Sequence, residues 1–325
     1  MTKPINLTRQ TGYVGSTMDP LVIVFGLGVG ILVGLTGIGG GSLMTPLLIL
    51  FAGVQPVVAI GTDLAYGAIT KTVGGFKHFK QGTVDLGVSK WLAVGSVPGS
   101  ILGVVAVDRL EARYGADFEQ VLLIGVAAAL LVVAVSILFR ALFMQKAIDR
   151  ERDAVVLTRR SKAGAVGIGF ALGIILGLTS VGSGALVGLA LILVFRLTPH
   201  RVVGTDVFHA AIMLYAAGAA HWVGGNVDFV LMANILVGSL PGVWIGSSLI
   251  NRVPAKGLRP ALGCVLMASA LGVFKKAGLE IPGGLILIVP GIIGLGAWLL
   301  ERRRRTERLG RPVAAAKLEG DPLAS

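Results

Sequence analysis

The sequence predicts an all-α polytopic membrane protein: two inverted repeats of about five segments each, with broken or re-entrant helices, and one extra C-terminal helix. Composition is the first observation, because 54% of the 325 residues are hydrophobic, only 14% are charged and the mean hydropathy is +0.84. A soluble domain would carry about 25% charged residues. The second observation is a series of apolar runs, and the third is a stretch of sequence that occurs twice.

The apolar runs are predicted to be helices, because backbone polar groups inside a bilayer must form their hydrogen bonds internally. A spanning helix needs about 20 apolar residues. Apolar segments fall at residues 20–36, 42–55, 60–80, 84–107, 118–143, 163–178, 183–197, 202–223, 228–250, 258–276 and 283–300. We therefore divide the chain into a tail (1–19), a first transmembrane repeat (20–143), a basic linker (144–162), a second transmembrane repeat (163–282), a C-terminal helix (283–300) and a basic tail (301–325).

Residues 34–109 and residues 177–252 are copies of one sequence. At an offset of 143 residues and with no gap, 27 of the 76 aligned positions are identical. The identities include Gly-Leu-Thr at 34–36 and 177–179, Gly-Thr-Asp at 61–63 and 204–206, and Gly-Ser-x-Pro-Gly at 95–99 and 238–242. Glycine, proline and polar residues within apolar segments are the residue types that a binding site needs, so both copies are predicted to contribute to one.

Basic residues are unevenly distributed between the loops. If the linker is cytoplasmic, 21 Lys and Arg residues fall on the cytoplasmic side and six on the other. Cytoplasmic loops carry such an excess, which predicts an N-terminus outside the cell and a cytoplasmic C-terminus in the inner membrane. The first repeat has an odd number of segments, so the second enters from the opposite face, as in secondary transporters. The net charge of +12 is therefore assigned to topology and not to nucleic acid.

Two glycine-rich turns precede the short segments 42–55 and 183–197, which are about 21 to 22 Å long at 1.5 Å per residue. The pairs 20–55 and 163–197 are each predicted to be either two tilted helices or a re-entrant hairpin. A helix N-terminus inside the membrane offers free N–H groups and a positive dipole end to an anion. The predicted substrate-binding residues of the turns are Thr36, Gly37, Gly39, Gly40, Gly41, Ser42, Thr179, Ser180, Gly182, Ser183 and Gly184.

The repeated Gly-Thr-Asp motif places Asp63 and Asp206 among apolar residues. An ionisable group at membrane depth indicates a functional site, here a proton-coupling carboxyl. His209 lies one turn after Asp206 and is predicted to share its proton. Thr62 and Thr205 are predicted to join the substrate site. The alternative is that the motif caps the N-terminus of a helix.

Other polar residues receive more ordinary predictions. Asp85 and Asp228 are predicted helix caps, and His78 and His221 are predicted to lie at the membrane interface. Lys71 could attract an anion inside the bundle, although the second repeat has leucine at the equivalent position. The glycines predicted to allow close helix packing are Gly30, Gly34, Gly99, Gly103, Gly242 and Gly246.

Several chemistries find no support in the sequence. Cys264 is the only cysteine, so neither a disulfide framework nor a cysteine-based metal site is predicted. No HExxH, GxSxG or GxxxxGK[ST] motif occurs, so we predict no enzymatic activity, no cofactor and no metal. The N-terminal residues show no cleavage pattern, and the first helix is expected to target the chain.

The motifs GLTGIGGGSLMTP, GTDLAYGAITKTVGGFKHFKQGTVD and GSVPGS, with their second-half echoes, resemble the TauE/SafE family of sulfite and sulfonate exporters. The resemblance covers about residues 20–300. It implies an inner-membrane transporter of small sulfur-containing anions such as sulfite, thiosulfate, sulfoacetate or taurine-derived products. It also implies a site at the two glycine turns with the Gly-Thr-Asp segments nearby.

The leading hypothesis is alternating-access transport of such an anion, with protons as the coupling ion and the lipid bilayer as the environment. A transporter of a cation or an amino acid, with Asp63 and Asp206 as ligands, is one alternative. A channel or a membrane scaffold subunit is another. The sequence leaves open the substrate, the direction of transport and the formation of a homo-oligomer.

Overall fold

The chain is helical throughout the part that the structure describes. The computed structural model describes residues 18–36, 41–143, 155, 157–249, 255–297 and 299. Eleven helices lie within these ranges: α1 (Pro20–Thr36), α2 (Gly41–Leu50), α3 (Pro56–Lys80), α4 (Leu86–Tyr114), α5 (Ala116–Phe143), α6 (Arg159–Thr179), α7 (Ala185–Leu193), α8 (Pro199–Val223), α9 (Phe229–Leu249), α10 (Ala255–Lys276) and α11 (Gly283–Ala297).

Five of the described helices are long and apolar enough to cross a membrane by themselves. They are α4, the Asp117–Ala141 part of α5, α6, α8 and α9. The predicted all-α polytopic membrane protein is confirmed, and each predicted apolar segment contains a helix. The last residues of the predicted linker are helical too, because Thr158 caps α6 by accepting a hydrogen bond from the Ser161 N–H, at 3.3 Å.

The helices α2 and α7 are shorter than the apolar segments that contain them. They have 10 and 9 residues, or about 15 Å and 14 Å, against a hydrocarbon core of about 30 Å. Neither can cross the bilayer as a helix. The rings of Phe25 on α1 and Phe51, just after α2, are 5.8 Å apart. Because α2 returns alongside α1, the pair forms a hairpin.

Three of the helix pairs that join the two repeats have glycines at their contacts. Facing residues of α3 and α8 are Gly61 with His221, Gly67 with Leu214 and Gly75 with Phe208, so the numbers rise on one helix as they fall on the other. The two equivalent helices therefore pack antiparallel. In contrast, α1 runs parallel to α9, since Gly26, Gly30 and Gly34 face Ile235, Ser239 and Val243 in the same order. The α4 and α6 pair is parallel in the same way, with Gly95, Gly99 and Gly103 against Val166, Phe170 and Ile174.

Glycines make the parallel pairs close enough to exclude a side chain. A Cβ atom at Gly30 would overlap the backbone of Ser239 on α9, whereas one at Gly28 would meet nothing within 4 Å. At each of the six glycines predicted to serve helix packing, a Cβ atom would overlap the backbone of the neighbouring helix, as it would at Gly30. Close backbone approach at small residues is how helices associate in a bilayer, where the hydrophobic effect does not drive them together.

Gly30→Ala should therefore destabilise the protein, while Gly28→Ala should not. We expect Gly30→Ala to lower the free energy of unfolding by about 2 kcal/mol, because the added methyl group forces α1 and α9 apart. Alanine at Gly28 adds no clash on the same helix. Thermal unfolding of both purified variants in detergent measures the difference, and equal melting temperatures would contradict the packing described for α1 and α9.

Candidate substrate site

The two glycine turns, 143 residues apart in the sequence, come together in the fold. A Cβ atom on Gly41, the first residue of α2, would lie 2.9 Å from the carbonyl oxygen of Ser180 and 3.5 Å from Oδ2 of Asp63. Gly41 belongs to the hairpin of α1 and α2, and Ser180 to the connection between α6 and α7. We call residues 41–42 and residues 180–184 the two hairpin tips. They meet at a carboxyl group from α3.

Asp63 connects the hairpin tips through one of its oxygen atoms. Thr45 Oγ1 of α2 donates to Asp63 Oδ2 at 2.5 Å, and Ser180 Oγ donates to the same atom at 2.8 Å. Asp63 is 0% exposed, and its Oδ1 has no hydrogen-bond partner in the described part of the chain. Oδ1 is therefore the atom at which this carboxyl can bind a proton or a donor group of a ligand.

The second hairpin tip is shaped by the way in which α6 ends. Ser180 adopts a left-handed conformation (φ 58°), and its N–H donates to the Leu176 carbonyl at 2.7 Å. The Thr179 hydroxyl donates to the Ile175 carbonyl at 2.6 Å and accepts from the Val181 N–H at 3.2 Å. Left-handed backbone commonly terminates a helix. The result is a sharp turn that brings Ser180 to Asp63.

Thr36 ends α1 as Thr179 ends α6, since its hydroxyl donates to the Leu32 carbonyl at 2.7 Å. Gly37, Gly39 and Gly40 lie outside the described residues, so the structure does not bear on their predicted role.

The remaining predicted residues of the turns are buried at the starts of the two short helices. Ser42 is 5% exposed and Ser183 is 4% exposed. Gly182 has φ +113° and Gly184 is the N-cap of α7, where no side chain caps the helix. A helix start without a side-chain cap leaves N–H groups for a ligand. The arrangement gives the tips hydroxyl and N–H donors but leaves them without a charge of their own.

Asp206 occupies an environment of a different kind. It is 5% exposed, and its Oδ1 has no hydrogen-bond partner among the residues described. The charged groups that act on it are the ammonium of Lys71 on α3 and the guanidinium of Arg140 on α5. Two hydroxyl groups bind Asp63, whereas the side chains that act electrostatically on Asp206 are cationic. The two copies of the motif have therefore diverged in charge.

The sequence difference behind this divergence lies on the short helices. Position 45 of α2 is threonine, and the equivalent position of α7 is Gly188. A Cβ atom at Gly188 would lie 3.2 Å from Nη1 of Arg140. The Arg140 guanidinium therefore approaches α7 at position 188. The equivalent position of α2 is Thr45, whose hydroxyl binds Asp63.

The two aspartates approach the bundle centre from opposite ends. Each is the eighth residue of its helix, in α3 and α8 respectively, and these helices are antiparallel. Nε2 of His209 lies 3.3 Å from Ser96 Oγ of α4, and its Nδ1 has no hydrogen-bond partner among the described residues. Sharing of a proton between His209 and Asp206 stays a prediction. The equivalent residue Tyr66 lies beside Ser239 of α9, the equivalent of Ser96.

Thr62 and Thr205 join the repeats in a reciprocal manner. Thr62 Oγ1 on α3 accepts a hydrogen bond from the Asp228 N–H at 3.0 Å, and Thr205 Oγ1 on α8 accepts from the Asp85 N–H at 2.8 Å. Asp85 and Asp228 cap α4 and α9 through the N–H groups of Val88 and Leu231, both at 2.9 Å. The prediction that these aspartates are caps is confirmed. Thr62 and Thr205 therefore lie at a junction between the repeats, and their role in substrate binding stays a prediction.

Two interpretations from the sequence are wrong. Gly-Thr-Asp does not cap a helix, because α3 and α8 begin at Pro56 and Pro199 and the motif lies inside them. His221 does not lie at an interface, because it is 0% exposed. Its Nε2 donates to the Gly177 carbonyl at 3.2 Å, and its Nδ1 accepts from Asn226 Nδ2 at 3.4 Å. A histidine at the end of an apolar segment can therefore still be enclosed by the neighbouring repeat.

Sequence reasoning did not include Thr45 in the site. Thr45 could have been recognised as a polar residue four positions after Gly41, which places it on the same face of α2. The repeat comparison gave no hint of it, because the second copy has glycine at this position.

A bundle of apolar helices with paired carboxyl groups buried between two sequence repeats is the architecture of a membrane transporter. The chain belongs to the sulfite exporter TauE/SafE family, since the family profile with that description matches residues 22–273. It is similar to the probable membrane transporter protein YjnA of Bacillus subtilis, with 39% identity over 78% of this chain and 99% of that protein.

Two further relatives have lower or more local similarity. The probable membrane transporter protein YdhB of Bacillus subtilis is 26% identical over 74% of this chain and 94% of its own length. Sulfite exporter TauE/SafE family protein 1 of Arabidopsis thaliana is 30% identical over 38% of this chain and 28% of its own length. No solved structure matches the chain.

Proposed function

We propose that the protein is a secondary transporter that exports a small sulfur-containing anion across the inner membrane by alternating access, coupled to protons. The substrate class is sulfite, thiosulfate or an organosulfonate such as sulfoacetate or taurine. The observation that carries the proposal is the meeting of both hairpin tips at Asp63. A site built by both repeats is exposed to one side or the other when the repeats move relative to each other.

The packing of the helices supports an inverted arrangement of the repeats. Equivalent helices α3 and α8 are antiparallel, and the hydrogen bonds of Thr62 and Thr205 are reciprocal. The parallel pairs α1 with α9 and α4 with α6 have the relative directions that the predicted alternation of segments requires. An N-terminus outside the cell and a C-terminus in the cytoplasm remain part of the proposal.

The donors at the hairpin tips suit an oxyanion. The N-terminal turns of α2 and α7 provide N–H groups and positive dipole ends, and Ser42 and Ser183 provide hydroxyls. Glycine at position 41 allows the two tips to approach each other closely. In this proposal Asp63 or Asp206 carries the coupling proton, because both carboxyl groups are buried and each has an oxygen without a partner among the described residues.

A screen for ligands that stabilise the purified protein tests the substrate class. Sulfite, thiosulfate and sulfoacetate are each expected to raise the melting temperature in detergent. A ligand at a hundredfold excess over its Kd stabilises by about 2.7 kcal/mol. Stabilisation by sodium or by a free amino acid alone would instead favour the alternative in which the aspartates are direct ligands. An anion identified by the screen is then tested for transport in proteoliposomes. Its accumulation against its own gradient distinguishes a coupled transporter from a channel or a scaffold.

A further inference from the structure

Lys71 on α3 is a buried cation that has no role in the site described so far. It is only 7% exposed, and its Nζ has no hydrogen-bond partner in the part of the chain that the structure describes. An ammonium group at membrane depth is costly unless an opposite charge compensates it. Gly74, one turn after Lys71, packs against Val207, which follows Asp206 on α8. Asp206 is therefore a nearby carboxyl, and its Oδ1 also has no partner among the described residues.

We propose that Lys71 is a substrate ligand and that the anion replaces Asp206 as its counter-ion. This inference rests on the proposed function and adds a cation to a site otherwise made of neutral donors. In the empty protein, the Lys71 ammonium and the Asp206 carboxylate compensate each other. When an anion binds at Lys71, Asp206 takes one proton from solution. That proton offsets one negative charge of the anion, so each anion moves with one proton.

The other groups near Asp206 are consistent with this exchange. Arg140 of α5 acts on Asp206 and lies against Gly188, at the second turn of α7. α7 itself contains only apolar residues and glycine. His209 of α8 is directed to Ser96 of α4. Repeat equivalence relates Gly184, the N-cap of α7, to Gly41 beside Asp63, which implies that Asp206 borders the second hairpin tip as Asp63 borders the first.

Replacement of Lys71 tests the assignment. Lys71→Leu is expected to weaken the binding of thiosulfate by about tenfold or more, since a charge-assisted contact is lost. Leucine is the residue at the equivalent position 214, where it is accommodated in the same helix pair. Lys71→Arg retains the charge and should restore much of the affinity. Lys77→Gln, an exposed lysine on the same helix, is the matched control and should bind as the unaltered protein does.

The pH dependence of binding tests the exchange itself. Thiosulfate is fully ionised near neutral pH, so any change in bound protons belongs to the protein. Binding to the unaltered protein should weaken as the pH rises, by up to about tenfold per pH unit for one linked proton. Asp206→Asn should bind thiosulfate with little dependence on pH, because no carboxylate competes for Lys71. Proton uptake in a weakly buffered solution measures the same linkage directly.

The outcomes separate this inference from the proposed function. Sulfite, thiosulfate and sulfoacetate are the probes, and monodisperse elution and a melting transition establish that each variant folds. If Lys71→Leu binds the anions as tightly as the unaltered protein does, the role of Lys71 alone is overturned. Binding that depends on Lys71 but takes up no proton would overturn the exchange. Absence of binding of all three anions to the unaltered protein would overturn the proposed function together with this inference.

Discussion

Asp206→Asn is expected to abolish the transport that a pH gradient drives. The carboxyl is buried, and the cations Lys71 and Arg140 act on it electrostatically. Asparagine has a similar shape but cannot exchange a proton. Loss of an essential proton-transfer group lowers a rate by on the order of a hundredfold or more. The measurement is uptake of radiolabelled sulfite into proteoliposomes with and without an imposed pH gradient.

The control for this prediction is Asp117→Asn, at an exposed aspartate in the first turn of α5. It should transport at the rate of the unaltered protein. Exchange of substrate without a gradient should persist in Asp206→Asn, because exchange needs the site to reorient but no net proton movement. Full gradient-driven uptake by Asp206→Asn would remove this carboxyl from the coupling mechanism and leave Asp63 as the remaining candidate.

Gly41→Leu is expected to eliminate substrate binding while the helical fold persists. A Cβ atom at this position already lies 2.9 Å from the Ser180 carbonyl, so a leucine side chain must push the hairpin tips apart. The hydroxyls of Thr45 and Ser180 would then no longer reach the same oxygen of Asp63. We expect sulfite to give no thermal stabilisation of this variant, whereas it stabilises the unaltered protein.

Gly28→Leu provides the matched control, because a side chain at Gly28 on the neighbouring helix meets nothing within 4 Å. It should respond to sulfite as the unaltered protein does. Should Gly41→Leu bind sulfite with unchanged affinity, the anion would have to bind away from the hairpin tips.

Most of the helical architecture could be predicted from the sequence, because long apolar runs in a membrane have no alternative to helical hydrogen bonding. The positions at which α2 and α7 end could not be predicted from the sequence. Their apolar runs continue past Leu50 and Leu193, and hydrophobicity does not record where the backbone leaves the helix. A short helix can end inside the protein, where neighbouring segments satisfy its last carbonyl groups. Lys276 of α10, which donates to the Ile49 carbonyl, is an example.

The burial and the positions of the candidate site residues could be predicted best where the two repeats are alike. Both Gly-Thr-Asp motifs lie buried at equivalent places, and the contact of Gly41 with Ser180 brings the two turns together. Features that differ between the repeats were not predictable from the comparison. In the alignment of the repeats, Thr45 corresponds to Gly188 and Lys71 corresponds to Leu214. Which hydroxyl or cation reaches an aspartate depends on the packing of one repeat against the other, which the spacing within a repeat does not contain.

The central claim is that the two hairpin tips form one anion site and not two. Titration calorimetry with sulfite measures this most directly, because it gives both the affinity and the number of anions bound per chain. We predict one anion per chain for the unaltered protein, and no binding after obstruction of either tip, by Gly41→Leu in the first repeat or Ser183→Leu in the second. Two anions per chain, with one retained in each variant, would contradict a shared site.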